Sequence, residues 1–374
     1  MFNSDTKKHT QEAVLLLEDG TSFKGKIFGV PKKIFGEVVF NTGMVGYVEA
    51  LTDPSYTGQI LVSSYPLIGN YGVPNYTLDE NGIPIGFESK GIKVVSYIVS
   101  ELCRHPSHGA CAKSLNTWFT EEEKCGIEGL DTRKLVKLLR ERGSMMGVIC
   151  PENPDMNELA SELKTATNPN DEDLVADIST KEVKRIGRGN KNIVLIDCGV
   201  KAGILRSILE RHARLTVVPY DCHFEKILEE EPDGILISNG PGDPKVLKST
   251  ISNVKKLAAT KLPVFGICLG NQILSLALGA DTYKLKYGHR SQNQPCKDVF
   301  SGRTYITTQN HGYAVDKKTL PKDVAEWFVN ANDGTNEGIR HKSMPFFSVQ
   351  FHPEAMPGPE DTKHLFDEFL RAIK

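Results

Sequence analysis

Residues 263–272 read PVFGICLGNQ, in which an apolar run leads into a cysteine that lies between Gly266 and Gly270. A helical pattern of apolar residues follows at once. A strand, a sharp turn, a nucleophile and a helix in this order are typical of a nucleophile elbow, here with sulfur in place of the usual serine hydroxyl. Cys268 would then lie at a helix N-terminus, where N–H groups favour a thiolate and can receive an oxyanion. The alternative is a buried core cysteine, since free cysteine is among the most buried residue types.

Composition indicates an ordinary globular protein with two domains. The chain has 374 residues, of which 39% are hydrophobic and 25% charged. Its net charge of −2 gives no reason to expect nucleic-acid binding, and no apolar run approaches the length of a membrane span. Residues 1–11 are polar and lack the apolar segment of a secretory signal. Eight cysteines without a disulfide-like spacing suit a reducing compartment, so we expect a cytoplasmic protein.

The first part of the chain predicts a β-rich α+β domain over residues 1–150. Short apolar runs alternate with turn residues between positions 13 and 100. A helix is predicted from Asp131, which can cap it, to Arg142, and Gly143 should end it. Residues 151–190 are polar and are interpreted as a linker, with the domain boundary near 190.

Residues 191–374 predict a different architecture, in which apolar strand-like runs and amphipathic helical runs alternate. This rhythm is typical of a doubly wound α/β domain with a mostly parallel sheet. Functional sites in such domains collect at the carboxyl ends of the strands. A last helix is predicted over about residues 361–373.

A nucleophilic cysteine needs a base, and the base needs a group that orients it. Phe351-His352-Pro353-Glu354 supplies both after the core-like run at 346–349. Proline disfavours helix at the preceding residue, so we expect an extended segment in which His352 and Glu354 share a side. The carboxylate would hold one imidazole nitrogen, and the other would face Cys268. A solvated surface triplet is the alternative.

Two further motifs each allow two interpretations. Residues 238–244, SNGPGDP, follow another core strand and indicate either a plain turn-rich loop or a backbone surface close to a ligand. Neither the G-x-x-x-x-G-K-[ST] nor the G-x-G-x-x-G nucleotide loop occurs in the chain, which argues against a nucleotide site of those types. Cys103, His105, His108 and Cys111 invite a zinc interpretation, but their spacing is not a usual one and we expect no metal.

Several of these stretches together resemble a known family. ISNGPGDP at 237–244, GICLGNQ at 266–272, QNHGYAVD at 309–316 and FHPEAMPGP at 351–359 resemble the class I glutamine amidotransferase domain. The N-terminal half is similar to the domain unique to the small subunit of carbamoyl-phosphate synthase. That similarity is carried by LEDGTSFKGKIFG at 17–29, the stretch 36–72 that contains LTDPSYTG, and GLDTRKLVKLLRERG at 129–143.

The resemblance implies a role for each matching position. Cys268 would be the nucleophile, His352 the base and Glu354 the residue that orients it. The backbone N–H groups of Leu269 and Gly240 would form the oxyanion hole. The residues implied to bind L-glutamine are Ser55, Gly240, Gly242, Leu269, Gln272, Asn310, Gly312 and Tyr313, with Asn310 to Tyr313 expected in a turn. One position departs from the family, because Asn271 stands where related sequences usually have histidine. This residue is not part of the triad, so hydrolysis should survive, but the departure puts in doubt the fine positioning of the elbow helix and the coupling to a partner.

The resemblance further implies a glutaminase subunit that passes ammonia to a large synthetase subunit. That partner would bind ATP and magnesium and make carbamoyl phosphate from bicarbonate for pyrimidine and arginine synthesis, and this chain would carry no cofactor. The alternatives are an amidotransferase of another synthase, a regulatory protein without glutaminase activity, and a free-standing thiol hydrolase. The N-terminal motifs argue against the first alternative, and the intact Cys268, His352 and Glu354 argue against the second.

Overall fold

A computed structural model describes residues 11–152 and 154–373 of the protein. The prediction that no secretory signal is present falls almost wholly on residues 1–10, which lie outside the described residues. The described chain divides into two compact units. The first comprises the described residues up to Leu51 with Gly58–Asn75 and Gly91–Pro169. The second comprises Thr52–Thr57, Tyr76–Lys90 and the chain from Asn170 onward.

The secondary structure is numbered in chain order. The strands are β1 (Glu12–Leu17), β2 (Ser22–Gly29), β3 (Ile34–Asn41), β4 (Gln59–Ser63), β5 (Leu67–Ile68), β6 (Thr77–Leu78), β7 (Pro84–Ile85), β8 (Ser96–Val99), β9 (Glu101–Leu102), β10 (Cys125–Glu128), β11 (Met145–Pro151), β12 (Lys184–Ile186), β13 (Asn192–Asp197), β14 (Arg214–Pro219), β15 (Gly234–Ile237), β16 (Val264–Ile267), β17 (Asp281–Asp298), β18 (Thr304–Asp316), β19 (Val324–Asn330), β20 (Asn336–His341) and β21 (Phe346–Val349). The α-helices are α1 (Tyr47–Thr52), α2 (Leu115–Glu121), α3 (Thr132–Arg142), α4 (Met156–Thr165), α5 (Val175–Ile178), α6 (Ala202–Leu209), α7 (Phe224–Glu229), α8 (Lys248–Ala258), α9 (Leu269–Leu278) and α10 (His364–Ala372).

The first unit is built on a closed barrel with the strand order β1-β11-β3-β4-β8-β10-β2. Strand β1 closes it by pairing with β2 on one side and β11 on the other, so the barrel leaves no free edge. Helix α3 forms as predicted, because the Asp131 carboxylate accepts a hydrogen bond from the Lys134 N–H at 2.9 Å. Gly143 ends the helix at φ 108°, a conformation that favours glycine.

The second unit contains a ten-stranded sheet in the order β12-β14-β13-β15-β16-β21-β20-β19-β17-β18. The five strands from β14 to β21 in this order are parallel. All the other pairings are antiparallel. The sheet is therefore mixed, and the prediction of a mostly parallel sheet is wrong. Between α9 and α10 the described chain contains no α-helix that could form a crossover, and strands joined without a crossover pair antiparallel.

Helices cover both faces of the parallel centre, as the alternating pattern predicts. On one face Ile204 and Ile208 of α6 and Phe366 and Phe369 of α10 pack against Phe265 of β16. On the other face α8 and α9 pack against apolar residues of β13, β15 and β16. Strand β16 lies between these two apolar layers. Their packing fixes the position of β16 and of Cys268, the residue that follows it.

The segment interpreted as a polar linker, 151–190, carries defined structure. It contains α4, α5 and β12. Leu159 and Leu163 of α4, spaced four residues apart, are buried with Val148 of β11 in the first unit. In the second unit β12 pairs with β14. The average polarity of the segment concealed this short apolar stripe. Throughout residues 11–152 and 154–373, no helix combines the length and the apolar character that a membrane span requires.

Candidate active site

Cys268 lies at a sharp turn between β16 and α9, as the sequence predicts. Its backbone has φ 55° and ψ −104°, a conformation that costs free energy for a residue with a Cβ. A hydrogen bond of 2.8 Å from its N–H to the Val349 carbonyl ties the turn to β21. The flanking glycines permit the turn: a Cβ on Gly266 would lie 2.5 Å from the Gly270 carbonyl oxygen. A Cβ on Gly270 would lie 2.1 Å from the carbonyl oxygen of Ile237 in β15.

His352 and Glu354 form a buried pair just beyond the end of β21. The Glu354 Oε1 atom lies 2.7 Å from His352 Nδ1, and both side chains are at most 1% exposed. Glu354 therefore holds one imidazole nitrogen, as predicted. The backbone is not extended, however: the Ala355 N–H donates to the His352 carbonyl at 3.1 Å and closes a turn. Proline at the second position of a turn is favourable, and in this turn the His352 and Glu354 side chains meet.

Electrostatics favour a charged imidazole. Burial lowers the pKa of His352, but the Glu354 carboxylate outweighs burial and raises that pKa to about 10. Burial raises the pKa of Glu354, but the Lys201 ammonium and His352 outweigh it and lower that pKa to about 2. His352 Nε2 is buried without a hydrogen-bond partner among the described residues, and the Cys268 side chain is among the groups that favour the protonated ring. An imidazolium there can stabilise a thiolate on Cys268.

The sequence analysis missed Lys201, which contacts the same Glu354 oxygen as His352. Its Nζ atom lies 2.9 Å from Glu354 Oε1 and donates to the Ala355 carbonyl at 3.1 Å. Burial lowers the pKa of this lysine, but Glu354 and Glu88 together raise it above its ordinary value. The available signal was its position, because Lys201 follows β13 at the carboxyl edge of the sheet where the elbow also lies.

Gln350 is a second residue that sequence reasoning missed. Its Nε2 donates toward the Cys268 sulfur at 3.7 Å, and its Oε1 accepts from Asn271 Nδ2 and Gln272 Nε2, each at 3.1 Å. Asn271 Oδ1 in turn accepts from the Ser348 hydroxyl at 2.8 Å. Asn271, the departure from the family, is thus fully buried and hydrogen-bonded on both ends of its amide. Gln350 precedes His352 by two residues, a spacing that could have drawn attention to it.

The structure brings Asn310, Gln272 and Tyr313 to the elbow. The Cys268 thiol lies 3.6 Å from the Asn310 carbonyl oxygen, and Gln272 Nε2 donates to the Tyr313 carbonyl at 2.9 Å. Gly312 lies between these two residues in β18. The expectation that residues 310–313 form a turn is wrong, because these residues belong to β18 and pair with β17. The register of this pairing shifts in β17 between Lys284 and His289.

The remaining substrate-binding predictions fall on the loop after β15. Asn239 Nδ2 donates to the Ser55 hydroxyl at 2.9 Å, so Ser55 joins this loop. A Cβ on Gly240 would lie 2.8 Å from Leu269 Cδ2 and 2.0 Å from the Cys198 carbonyl oxygen, which shows how closely Gly240 approaches the elbow. Gly242 has φ 85°, and Leu174 is the neighbour that a Cβ there would meet. The oxyanion role of the Leu269 and Gly240 N–H groups stays a prediction.

One group of potential metal ligands is gathered among the described residues: His289, His311 and Glu337, all buried. His289 Nε2 lies 2.9 Å from an Asp333 oxygen and Nδ1 lies 3.2 Å from Glu337 Oε1. The three residues come from β17, β18 and β20, and His289 is hydrogen-bonded within the group to Glu337 and outside it to Asp333. Cys103, His105, His108 and Cys111 do not gather their ligand atoms in this way within the described chain, and the absence of zinc there stays a prediction.

Comparison with known proteins identifies the family. The class-I glutamine amidotransferase model matches residues 194–372, and the model of the carbamoyl-phosphate synthase small chain, CPSase domain, matches residues 15–149. The chain is 49% identical to the multifunctional protein CAD of Squalus acanthias, over 97% of this chain and 16% of that protein. It is 49% identical to the carbamoyl phosphate synthase small chain of Methanocaldococcus jannaschii, over 96% of this chain and 98% of that protein. It is 48% identical to the small chain of Archaeoglobus fulgidus, over 97% of this chain and 99% of that protein.

The second unit, with its cysteine elbow and His–Glu pair, is thus of the class-I glutamine amidotransferase type. Together with the match of the first unit, the relatives show that the chain belongs to the carbamoyl phosphate synthase small chain family.

Proposed function

We propose that this chain hydrolyses L-glutamine and supplies the ammonia to a large synthetase partner that makes carbamoyl phosphate. The observation that carries the proposal is Cys268 at a strained elbow, with the buried His352–Glu354 pair beside it. Family membership supports the partner and the product, which would serve pyrimidine and arginine synthesis. The partner would bind ATP, magnesium and bicarbonate, and this chain would need no cofactor of its own.

The proposed chemistry is acyl transfer through sulfur. The Cys268 thiolate attacks the side-chain amide carbon of glutamine, and the resulting oxyanion is held by the Leu269 and Gly240 N–H groups. His352 donates its proton to the departing nitrogen, which leaves as ammonia, and a glutamyl thioester remains. Neutral His352 then takes a proton from water, whose oxygen attacks the thioester and releases glutamate. Ser55, Gly242, Gln272, Asn310, Gly312 and Tyr313 would hold the substrate.

The test is Cys268→Ser in the complete complex with the large partner, measured with two nitrogen sources. A serine hydroxyl ionises far less readily than a thiol, so glutamine-dependent carbamoyl phosphate synthesis should fall by at least about a thousandfold. Synthesis from free ammonia should stay near wild type, because that chemistry would lie on the partner. The control is Cys222→Ser, at a partly exposed cysteine outside the elbow, which should change neither rate. Retained glutamine-dependent synthesis in Cys268→Ser would show that Cys268 is not the nucleophile.

A further inference from the structure

Glu88 is a buried carboxylate that lies outside the stretch matched by the amidotransferase family model. The model begins at residue 194, whereas Glu88 belongs to the segment Tyr76–Lys90, which packs within the second unit. Glu88 is 1% exposed. Its N–H donates to the Thr52 hydroxyl at 2.9 Å, and its carbonyl accepts from the Ala202 N–H at 2.8 Å. The backbone is therefore held on both sides, so that the carboxylate is presented from a fixed position.

The carboxylate faces the start of α6. Its Oε2 atom accepts a hydrogen bond of 3.1 Å from the Gly203 N–H and lies 3.9 Å from Lys201 Nζ. Its Oε1 atom lies 3.6 Å from Arg206 Nη2 and makes no hydrogen bond among the described residues. A buried charge in such a place costs free energy unless other charges compensate it, and Lys201 and Arg206 supply that compensation.

Lys201 lies between two carboxylates. The first is Glu354, whose Oε1 atom lies 2.9 Å from Lys201 Nζ. The same Oε1 atom lies 2.7 Å from His352 Nδ1 and orients the imidazole. Glu88 lies on the second side of the ammonium. We propose that Glu88 is a positioning residue for the glutamine hydrolysis proposed above: it neutralises Lys201, so that Glu354 remains available to orient and charge His352. The inference rests on that proposed function.

The charges around the site show what Glu88 contributes. Glu88 and Glu354 are opposed by Lys201 and Arg206, Asp53 adds to the negative potential at Lys201, and His352 lies beyond Glu354. Without the Glu88 charge, Lys201 would attract Glu354 more strongly and would leave excess positive potential beside the imidazole. Excess positive potential disfavours the imidazolium, so the pKa of His352 should fall. Burial raises the pKa of Glu88 itself to about 7, against the opposing effect of Lys201, so the carboxylate is ionised above neutral pH.

The test compares Glu88→Gln, Glu88→Asp and wild type as full chains, with the pH profile of glutamine hydrolysis as the readout. The Gln side chain in Glu88→Gln has nearly the shape of the Glu88 side chain but carries no charge. We expect kcat to fall about tenfold with little change in KM, and the alkaline limb of the profile to move about one unit toward lower pH. Glu88→Asp retains a charge and should keep the limb near wild type. The control is Asp367→Asn, which removes a carboxylate paired with Arg211 at 2.6 Å and should leave the profile unchanged.

If Glu88 had a purely structural role, Glu88→Gln would lower the unfolding temperature but would not move the alkaline limb of the pH profile. A folded Glu88→Gln variant with an unmoved alkaline limb therefore overturns the inference. If Glu88→Gln does not fold, Glu88→Ser, which also removes the charge, takes its place: a limb moved toward lower pH supports the inference, and a limb at its wild-type pH overturns it. The pH dependence of Cys268 alkylation by iodoacetamide gives a second readout that requires no turnover. A wild-type chain that alkylates readily but hydrolyses no glutamine would refute the proposed function and the inference with it. A wild-type chain that hydrolyses glutamine, together with an alkylation profile that does not move in Glu88→Gln, would overturn the inference alone.

Discussion

Asn271 shows how a single departure from a family pattern can be accommodated. The histidine usual at this position would have two ring nitrogens, whereas Asn271 offers an amide that satisfies both Ser348 and Gln350. Gln350 in turn donates toward the Cys268 sulfur. Asn271 is therefore linked to the nucleophile through the Gln350 side chain, and its side chain makes no hydrogen bond to His352 or Glu354 in the described structure.

We predict that Asn271→His changes the kinetics modestly and leaves the fold intact. An imidazole can accept from Ser348 with one nitrogen and donate to Gln350 with the other, although its larger ring must fit a site that is fully buried. Overpacking of this kind costs about 1–3 kcal/mol, so the free energy of unfolding should fall by that amount. Glutamine hydrolysis should fall less than about tenfold, measured as kcat/KM. A loss near a thousandfold would mean that Asn271 belongs to the catalytic machinery.

At the scale of elements, the elbow depends on the close packing of α9 against β15. The first turn of α9 approaches the end of β15 so closely that a Cβ on Gly270 would lie 2.1 Å from the Ile237 carbonyl oxygen. That neighbour is backbone in the middle of the sheet and has little freedom to move. Because Gly270 has no side chain, α9 can pack this closely against β15. This packing fixes the position of the helix N-terminus, and therefore of Cys268, at the edge of the sheet.

We predict that Gly270→Ala lowers the free energy of unfolding by about 3 kcal/mol, because the helix must shift away from the sheet. Alkylation of Cys268 by iodoacetamide should lose its protection by glutamine in the same variant. Gly109→Ala is the matched control, since a Cβ there would meet no atom within 4 Å and φ is not in the left-handed region. Equal stability of both variants in chemical denaturation would contradict the packing argument.

At the scale of the molecule, the second unit is assembled from segments that are far apart in the chain. Thr52–Thr57 and Tyr76–Lys90 belong to it although most of its residues follow Asn170. These two early segments bring Asp53 and Ser55 to Asn310 and Asn239, and Glu88 to the start of α6. A cut at the boundary expected from the sequence, near 190, would remove all of these contacts.

We predict that a fragment of residues 170–374 does not reproduce the site. The fragment lacks Asp53, which accepts the 2.9 Å hydrogen bond from the Asn310 side chain. It also lacks Glu88, so Lys201 loses one of its two neighbouring carboxylates. Glutamine should protect Cys268 of the fragment from alkylation at least about tenfold less well than in the full chain, a loss of about 1.4 kcal/mol of binding. Addition of residues 1–169 as a separate chain should restore part of the protection. Full protection of the fragment alone would contradict this dependence.

The features that local rules control could be predicted from the sequence. The run 263–272 specified a strand, a turn and a helix around Cys268, because the glycines and the apolar periodicities act within a few residues. The contact between His352 and Glu354 is likewise local, although the proline produces it through a turn rather than through a strand. Helix α3, with its cap at Asp131 and its end at Gly143, followed from the same short-range chemistry.

Which distant groups meet could not be predicted from the sequence and became visible in the folded chain. Lys201 and Glu88 are separated by more than a hundred positions, and no periodicity relates them, yet they share one buried ion cluster with Glu354. The antiparallel flank of the sheet and the barrel of the first unit also depend on pairing between remote strands. Long-range pairing is selected by burial of the whole core and by the need to compensate every buried charge, and these conditions exist only after the chain has folded.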